Sequence, residues 1–254
     1  EDKKLAKSLA KQGDTSGATV EDEDASKKAI KSVINRRRHL VLLAQNQTGL
    51  NNLFKLISAS YREENFYRYP RVDYKMLAEH SEGVIAASAC LGGPYAGNYW
   101  EHREEGPEAV REAMRETTRN FVEVFGDRWY GELQWNNIPE QHELNQYIIE
   151  VCKEFDVTLI STADSHYPNR EAWKDRELYK RLGWLGKGTP AWAEDNTELP
   201  PGVEEIGYEL YPKNGNQIWE SYKEYSKNLG VEYDDELVMN SITETHNIAF
   251  NRIE

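Results

Sequence analysis

LISTADSHYP, residues 159–168, runs from a β-branched apolar stretch straight into Asp164, Ser165 and His166. In an extended chain alternate side chains share a face, so the spacing predicts that Asp164 and His166 point the same way. Two readings fit. One is a pair of metal ligands at the mouth of a barrel or sheet. The other is a capped, polar strand end leading into a loop. The stretch alone favours the second, and its neighbours must decide.

On either side of this stretch the chain alternates strand and helix signals. HLVLLAQ (39–45) reads as a short buried strand, and GLNNLFKLISASY (49–61) follows at helical spacing through Leu50, Leu53, Phe54, Ile57 and Tyr61. A second strand lies in EGVIAASACLGGPYAG (82–97) and breaks into a Gly-rich loop after Cys90. PEAVREAMRETTRNFVEVFG (107–126) is an amphipathic helix with Val110, Ala113, Met114, Phe121, Val124 and Phe125 as its apolar stripe. Pro107 suits its first turn and Gly126 its end.

WYGELQW (129–135) is a third strand, with Tyr130, Glu132 and Gln134 on one face and Trp129, Gly131, Leu133 and Trp135 on the other. The next helix, PEQHELNQYIIEVCKEF (139–155), turns Leu144, Ile148, Val151, Cys152 and Phe155 inward. VTLIST (157–162) is the fourth strand, and NREAWKDRELYKRLGWL (169–185) reads as a helix. A proline-containing loop, the strand GYELY (207–211) and two closing helices (216–229 and 235–253) complete the chain. Residues 1–38 are different. KQGDTSGATVEDEDASKK is small, polar and charged, so this stretch is expected to be a polar lead-in or insertion, partly disordered, before an α/β domain over 39–254.

Alternating strands and helices are the signature of parallel α/β architecture, where chemistry gathers at the carboxyl ends of strands. Asp164 and His166 follow the fourth strand, Cys90 follows the second, and Glu132 and Gln134 end the third. His39 stands apart because it opens its strand. Asp, His and Cys together suit Zn²⁺ or a related transition metal, and carboxylates also take Mn²⁺ or Mg²⁺. Each residue has a plainer alternative. A lone cysteine such as Cys90 is more often a small buried hydrophobe than a ligand. His39 can be a structural histidine, and Glu132 can simply hydrogen-bond a loop. Cys152 belongs to a core stripe. His80, His102, His142 and His246 occupy polar positions and are expected to face solvent. The Gly-rich loop lacks the lysine of a P-loop and the glycine register of a dinucleotide fingerprint.

Composition sets outer bounds. Apolar residues are 39% of the 254, enough for a sizeable core. The first residues, EDKKLAKSLAKQGD, lack the apolar segment of a secretory signal, no run is long enough for a membrane span, and two cysteines suit a reducing compartment. The expectation is a cytoplasmic protein with no membrane contact. A net charge of −13, from 44 acids and 31 bases, disfavours strong non-specific nucleic-acid binding, so any DNA contact is expected to be weak unless bound cations reverse the local field.

Four phrases taken together carry a resemblance: HLVLLAQNQTGLNNLFKLISASY (39–61), YPRVDYKMLAEHSEGVIAASACLGG (69–93), FGDRWYGELQWNNIPEQHELNQ (125–146) and LISTADSHYPNREAWKD (159–175). In order and spacing they resemble the PHP (polymerase and histidinol phosphatase) domain that opens bacterial replicative DNA polymerase III alpha subunits. That resemblance implies a distorted (β/α)7 barrel with a divalent metal centre (Zn, Mn or Mg) at the strand ends. Position by position, it assigns His39, Cys90, Asp164 and His166 as metal ligands, with Glu132 and Gln134 as site-lining candidates.

The family also begins with an H-x-H motif, a D-H motif and a Glu on its first strands, and none of them stands upstream of His39. The expectation is therefore a partial PHP barrel with an incomplete metal site, acting in DNA replication mainly as a structural or partner-binding module. Its expected partners are the remainder of the polymerase chain or a complementing N-terminal fragment, together with other replisome proteins. The alternative is a metal-dependent phosphoesterase or 3′–5′ exonuclease acting on DNA ends through a di- or trinuclear centre. A barrel without its first strands should leave an open sheet edge that something must cover.

Overall fold

The computed structural model describes residues 37–66, 69–176, 179 and 209–254. By contacts the chain divides into two units, Glu1–Arg38 with Ile57–Val72, and His39–Leu56 with Asp73–Glu254. Within the described part of the first unit, Arg37 lies over the Tyr69 ring at 3.7 Å and Tyr61 stacks on Phe66 at 5.9 Å. The expected lead-in falls almost wholly outside the described residues.

The second unit carries the sheet. In chain order its elements are β1 (Val41–Ala44), α1 (Gln47–Ser60, which runs on into the first unit), α2 (Tyr74–Glu79), β2 (Val84–Ala87), α3 (Pro94–His102), α4 (Pro107–Phe125), β3 (Trp129–Gln134), α5 (Pro139–Glu154), β4 (Thr158–Thr162), α6 (Gly215–Leu229) and α7 (Asp235–Asn247). A π-helical turn, Ile248–Arg252, continues α7. The helix starts follow local rules. Asp73 and Asp234 cap α2 and α7 through their carboxylates, Asn214 and Gln217 form a reciprocal capping box on α6, and prolines open α3, α4 and α5.

Four strands pair in the order β1-β2-β3-β4. β2, β3 and β4 run parallel, as the alternating pattern predicts. β1 does not: it is antiparallel to β2, with Val41 opposite Ala87 and Leu43 opposite Ile85. The architecture is thus mixed α/β. A closed seven-stranded barrel is not seen among the described residues, and β1 has a single strand neighbour there, with Val41 and Leu43 exposed.

The two sheet faces differ in depth. One carries the large core, in which Val84, Ala86, Trp129, Leu133 and Trp135 meet Met114, Phe121 and Phe125 of α4 and Leu144, Ile148 and Cys152 of α5. Trp129 is its centre. Phe121 stacks flat on the indole at 4.1 Å, and the indole N–H donates to Tyr95 Oη at 3.0 Å. Tyr95 in turn bonds Thr118, so the polar atoms of this aromatic group are paired. The other face carries a smaller apolar cluster, Ile85, Ala87, Tyr130 and Ile160, under Ile248. The π-helical turn is fastened over it by Arg252 to Asp127 at 3.2 Å and by the Glu254 N–H donating to Gln45 O at 2.9 Å.

Three further expectations are corrected. On α1 the apolar set Leu50, Phe54, Ile57 and Tyr61 is exposed, and Asn52, Leu56 and Ser60 are buried instead, with Leu53 partly buried. Asn52 tolerates burial because its amide donates to Glu82 O at 2.9 Å. Glu209–Tyr211, the described part of GYELY, is not a strand; Leu210 O instead accepts from the His166 and Tyr167 N–H groups. Most of the helix expected over 169–185 lies outside the described residues, which show a 3₁₀ turn at Arg170–Ala172.

The third correction is His142, which is fully buried. One ring nitrogen lies 3.0 Å from Asn136 O and the other 3.0 Å from Tyr233 Oη, so the polar ring is satisfied within α5's inner stripe. Burial lowers its pKa from the ordinary value. The folded state resists the proton that an unfolded histidine takes up at about pH 6.5, so stability is full above that value and falls as pH drops below it. Urea unfolding from about pH 7 to about pH 5 should show a steeper stability loss in the native protein than in His142→Gln, whose side chain cannot take the proton. Leu133→Ala, at the fully buried centre of β3, should cost about 2–5 kcal/mol in the same assay.

Candidate metal-ligand cluster at the strand ends

The reversed direction of β1 explains the residue that stood apart. A strand antiparallel to β2 begins where β2 ends, so His39, at the entry to β1, lies beside the loop that follows β2. The His39 N–H donates to Gly92 O at 2.8 Å, and its Nδ1 lies 3.5 Å from Cys90 Sγ. Two glycines make the approach feasible. A Cβ on Gly92 would sit 3.0 Å from His39 Nδ1, and one on Gly93 would collide with Ser88 O at 1.9 Å. Both residues, at positions read from sequence as ligands, therefore come together.

The second pair is built differently from the expected one. β4 ends at Thr162, and Asp164 adopts a left-handed conformation with φ +46°, so strand alternation does not set its direction. His166 folds back instead. Its Nδ1 lies 2.6 Å from Asp164 O and 3.9 Å from Asp164 Oδ1. With Nδ1–H donating to that carbonyl, the lone pair stays on Nε2. A second non-glycine residue, Ala89 with φ +60°, is left-handed just before Cys90. Such residues are costly for side chains with a Cβ and recur at functional sites.

Between the pairs lie Glu132 and Gln134, both buried on the face of β3 predicted for them. Glu132 accepts hydrogen bonds from the Ala89 N–H at 3.0 Å and from Thr162 Oγ1 at 2.5 Å. Burial raises its pKa, opposed by these bonds. The Cys90 thiol is also pushed up, by burial first and then by the negative charges of Asp164 and Glu132. Thr162, Ser88 and Ala89 were not singled out from sequence, although period-2 alternation does place Thr162 on the Ile160 face, opposite Gln134.

The donor chemistry fits a metal in part. Ligands at about 2.0 Å (His N) and about 2.3 Å (Cys S) on a tetrahedral centre lie about 3.5 Å apart, close to the His39–Cys90 separation. Among the described residues, however, no group of three or more His, Cys, Asp or Glu side chains converges tightly enough to hold an ion. His39 with Cys90, and Asp164 with His166, stand as two pairs.

Fold and site together define an α/β domain with ligand-type side chains at the carboxyl edge of a mixed sheet. Residues 13–136, just under half of the chain, match the PHP domain family. The match begins within the polar stretch before His39 and ends just past β3. The chain is 45% identical over 133 residues to the DNA polymerase III subunit alpha of Aquifex aeolicus, which is 52% of this chain and 11% of that protein. It is 41% identical over 191 residues to the subunit of Borreliella burgdorferi, 75% of this chain and 15% of that protein. With the Campylobacter jejuni subunit it shares 31% over 190 residues, 74% of this chain and 15% of that one. The chain therefore spans 11–15% of the length of these relatives. Among the described residues no helix is long and apolar enough to cross a membrane.

The two cysteines should separate chemically. Cys152 is fully buried, with its pKa pushed up to about 12, whereas Cys90 is half-buried at a turn. Iodoacetamide under native conditions should label Cys90 alone, slowly because its thiol is raised, and mass spectrometry should find Cys152 labelled only after denaturation. Gly93→Ala should sharply destabilise the turn, since its clash is with backbone rather than a flexible side chain.

Proposed function

We propose that this chain is a PHP module of a replicative DNA polymerase III alpha subunit, serving in DNA replication as a structural and partner-binding part of a longer polymerase. The observation that carries the reading is the 41% identity to such a subunit over three quarters of the chain. Its partner is the remainder of the polymerase chain, or an N-terminal fragment that completes the sheet. The exposed apolar residues of the edge strand β1, Val41 and Leu43, favour such a partner. Other replisome proteins are further candidates, in a cytoplasmic setting.

A second reading is favoured by one geometric fact, the 3.5 Å separation of Cys90 Sγ and His39 Nδ1. In it, His39, Cys90, Asp164 and His166 hold divalent metal, Zn, Mn or Mg, once further ligands are supplied. A bound divalent ion would supply Lewis acidity and an activated water for phosphoester or 3′–5′ exonucleolytic cleavage at a DNA end. This chain's own part would be to hold the pairs at the strand ends, with Glu132 and Gln134 lining the floor.

Co-expression with the remaining segments of a polymerase III alpha subunit tests the first reading. The two should co-elute as one complex on size-exclusion chromatography; separate elution would contradict the proposal. Metal content and cleavage of a 3′-labelled oligonucleotide with added Mn²⁺ or Zn²⁺ test the second. The module reading expects no turnover from this chain alone, and turnover abolished by Asp164→Asn would establish the metal-dependent activity instead.

A further inference from the structure

One buried carboxylate connects the two turns that carry the ligand-type side chains. Glu132 stands on the thin face of the sheet, which it shares with Ile85 and Ala87 of β2, Ile160 of β4 and Tyr130 of its own strand. A carboxylate there is costly unless its oxygens are satisfied. They are: Oε2 accepts from the Ala89 N–H at 3.0 Å, and Oε1 from Thr162 Oγ1 at 2.5 Å and, at longer range, from Gln134 Nε2 at 3.4 Å. The Glu132 N–H donates to Ser88 Oγ at 2.8 Å, a second tie to the same turn after β2.

Ala89 is the residue that needs holding. It is left-handed, it has no polar side chain to stabilise that conformation locally, and it immediately precedes Cys90. Within the turn, Gly93 N–H donates to Cys90 O and Gly92 N–H faces Cys90 Sγ, which shapes the loop after Cys90 but not its entry. The entry is fixed from β3. On the far side, Thr162 is the last residue of β4, two before the left-handed Asp164.

We infer that Glu132 is a positioning residue: its carboxylate holds the Ala89 turn so that the Cys90 thiol faces His39, and Thr162 and Gln134 hold the carboxylate. Burial of a polar group for stability alone would not require a bond to the one strained amide beside the cysteine. The inference rests on the reading of Cys90 and His39 as a functional pair. Its test uses metal-free protein, so a failure to bind metal would remove the ligand reading and leave this result standing.

The test compares native protein, Glu132→Ala, Glu132→Gln and Thr162→Val by amide hydrogen exchange and by iodoacetamide labelling of Cys90. Gln can still accept from the Ala89 N–H through its carbonyl and donate to Thr162 through its amide. Glu132→Ala should speed exchange at Ala89 by about tenfold or more and quicken Cys90 labelling, with core amides such as Ile85 and Leu133 still protected. Glu132→Gln should stay close to native at both readouts although it removes the same charge. Thr162→Val, which loosens the carboxylate without removing it, should fall between native and Glu132→Ala, and it decides the matter if Glu132→Ala does not fold. Native-like Ala89 exchange and Cys90 labelling in the folded variants would overturn the inference. So would a Gln variant indistinguishable from the Ala variant, because charge alone would then explain the effect.

Discussion

Pairing β1 antiparallel to β2, with Val41 against Ala87, fixes much of what the strand ends can do. In a wholly parallel sheet a residue that opens a strand lies at the end opposite the carboxyl termini, and His39 would be a strand length away from Cys90. Reversing one strand brings the two to a 3.5 Å contact. The same pairing makes β1 a sheet edge among the described residues and leaves Val41 and Leu43 exposed there. One constraint thus gathers half of the ligand-type residues and creates the surface on which the proposed partner would lie.

The rest of the site depends on unequal burial of the two sheet faces. The helical side is a thick aromatic and aliphatic core centred on Trp129, and it packs against β3. The opposite side has a small apolar patch under Ile248, and beyond it the face becomes polar through Glu132, Gln134 and Thr162. Those groups replace lost hydration with hydrogen bonds to one another and to the Ala89 amide. Rigid strands carrying satisfied polar groups into strained turns are a scaffold suited to holding side chains in a set geometry.

Much of this was legible in the sequence because it depends on local periodicity. Alternation in WYGELQW assigned both faces of β3, and the apolar spacing of α4 and α5 named most of their buried residues. Direction was not legible. A strand's own residues do not encode whether it runs with or against its neighbour, and the helical connection from β1 to β2 resembles a parallel crossover. The buried face of α1 was missed because Asn52, Leu56 and Ser60 recur at helical spacing just as Leu50, Phe54, Ile57 and Tyr61 do. Periodicity identifies the helix; tertiary packing chooses the face. His142 was misplaced for a related reason: Gln141, His142 and Asn145 lie on the same inner side of α5 as Ile148 and Cys152, with hydrogen bonds that only the fold provides. The D-x-H motif was found, but its geometry comes from a left-handed turn rather than from strand alternation.

The central claim, that an antiparallel β1 delivers His39 to Cys90, is tested most directly by nuclear Overhauser spectroscopy on the labelled protein. The account predicts an Hα–Hα cross-peak between Leu42 and Ala86, the signature of a closely spaced antiparallel pair, together with cross-peaks between the His39 ring protons and the Cys90 β protons. Absence of both from a folded protein, with β1 paired in a parallel register or not paired with β2 at all, would contradict it.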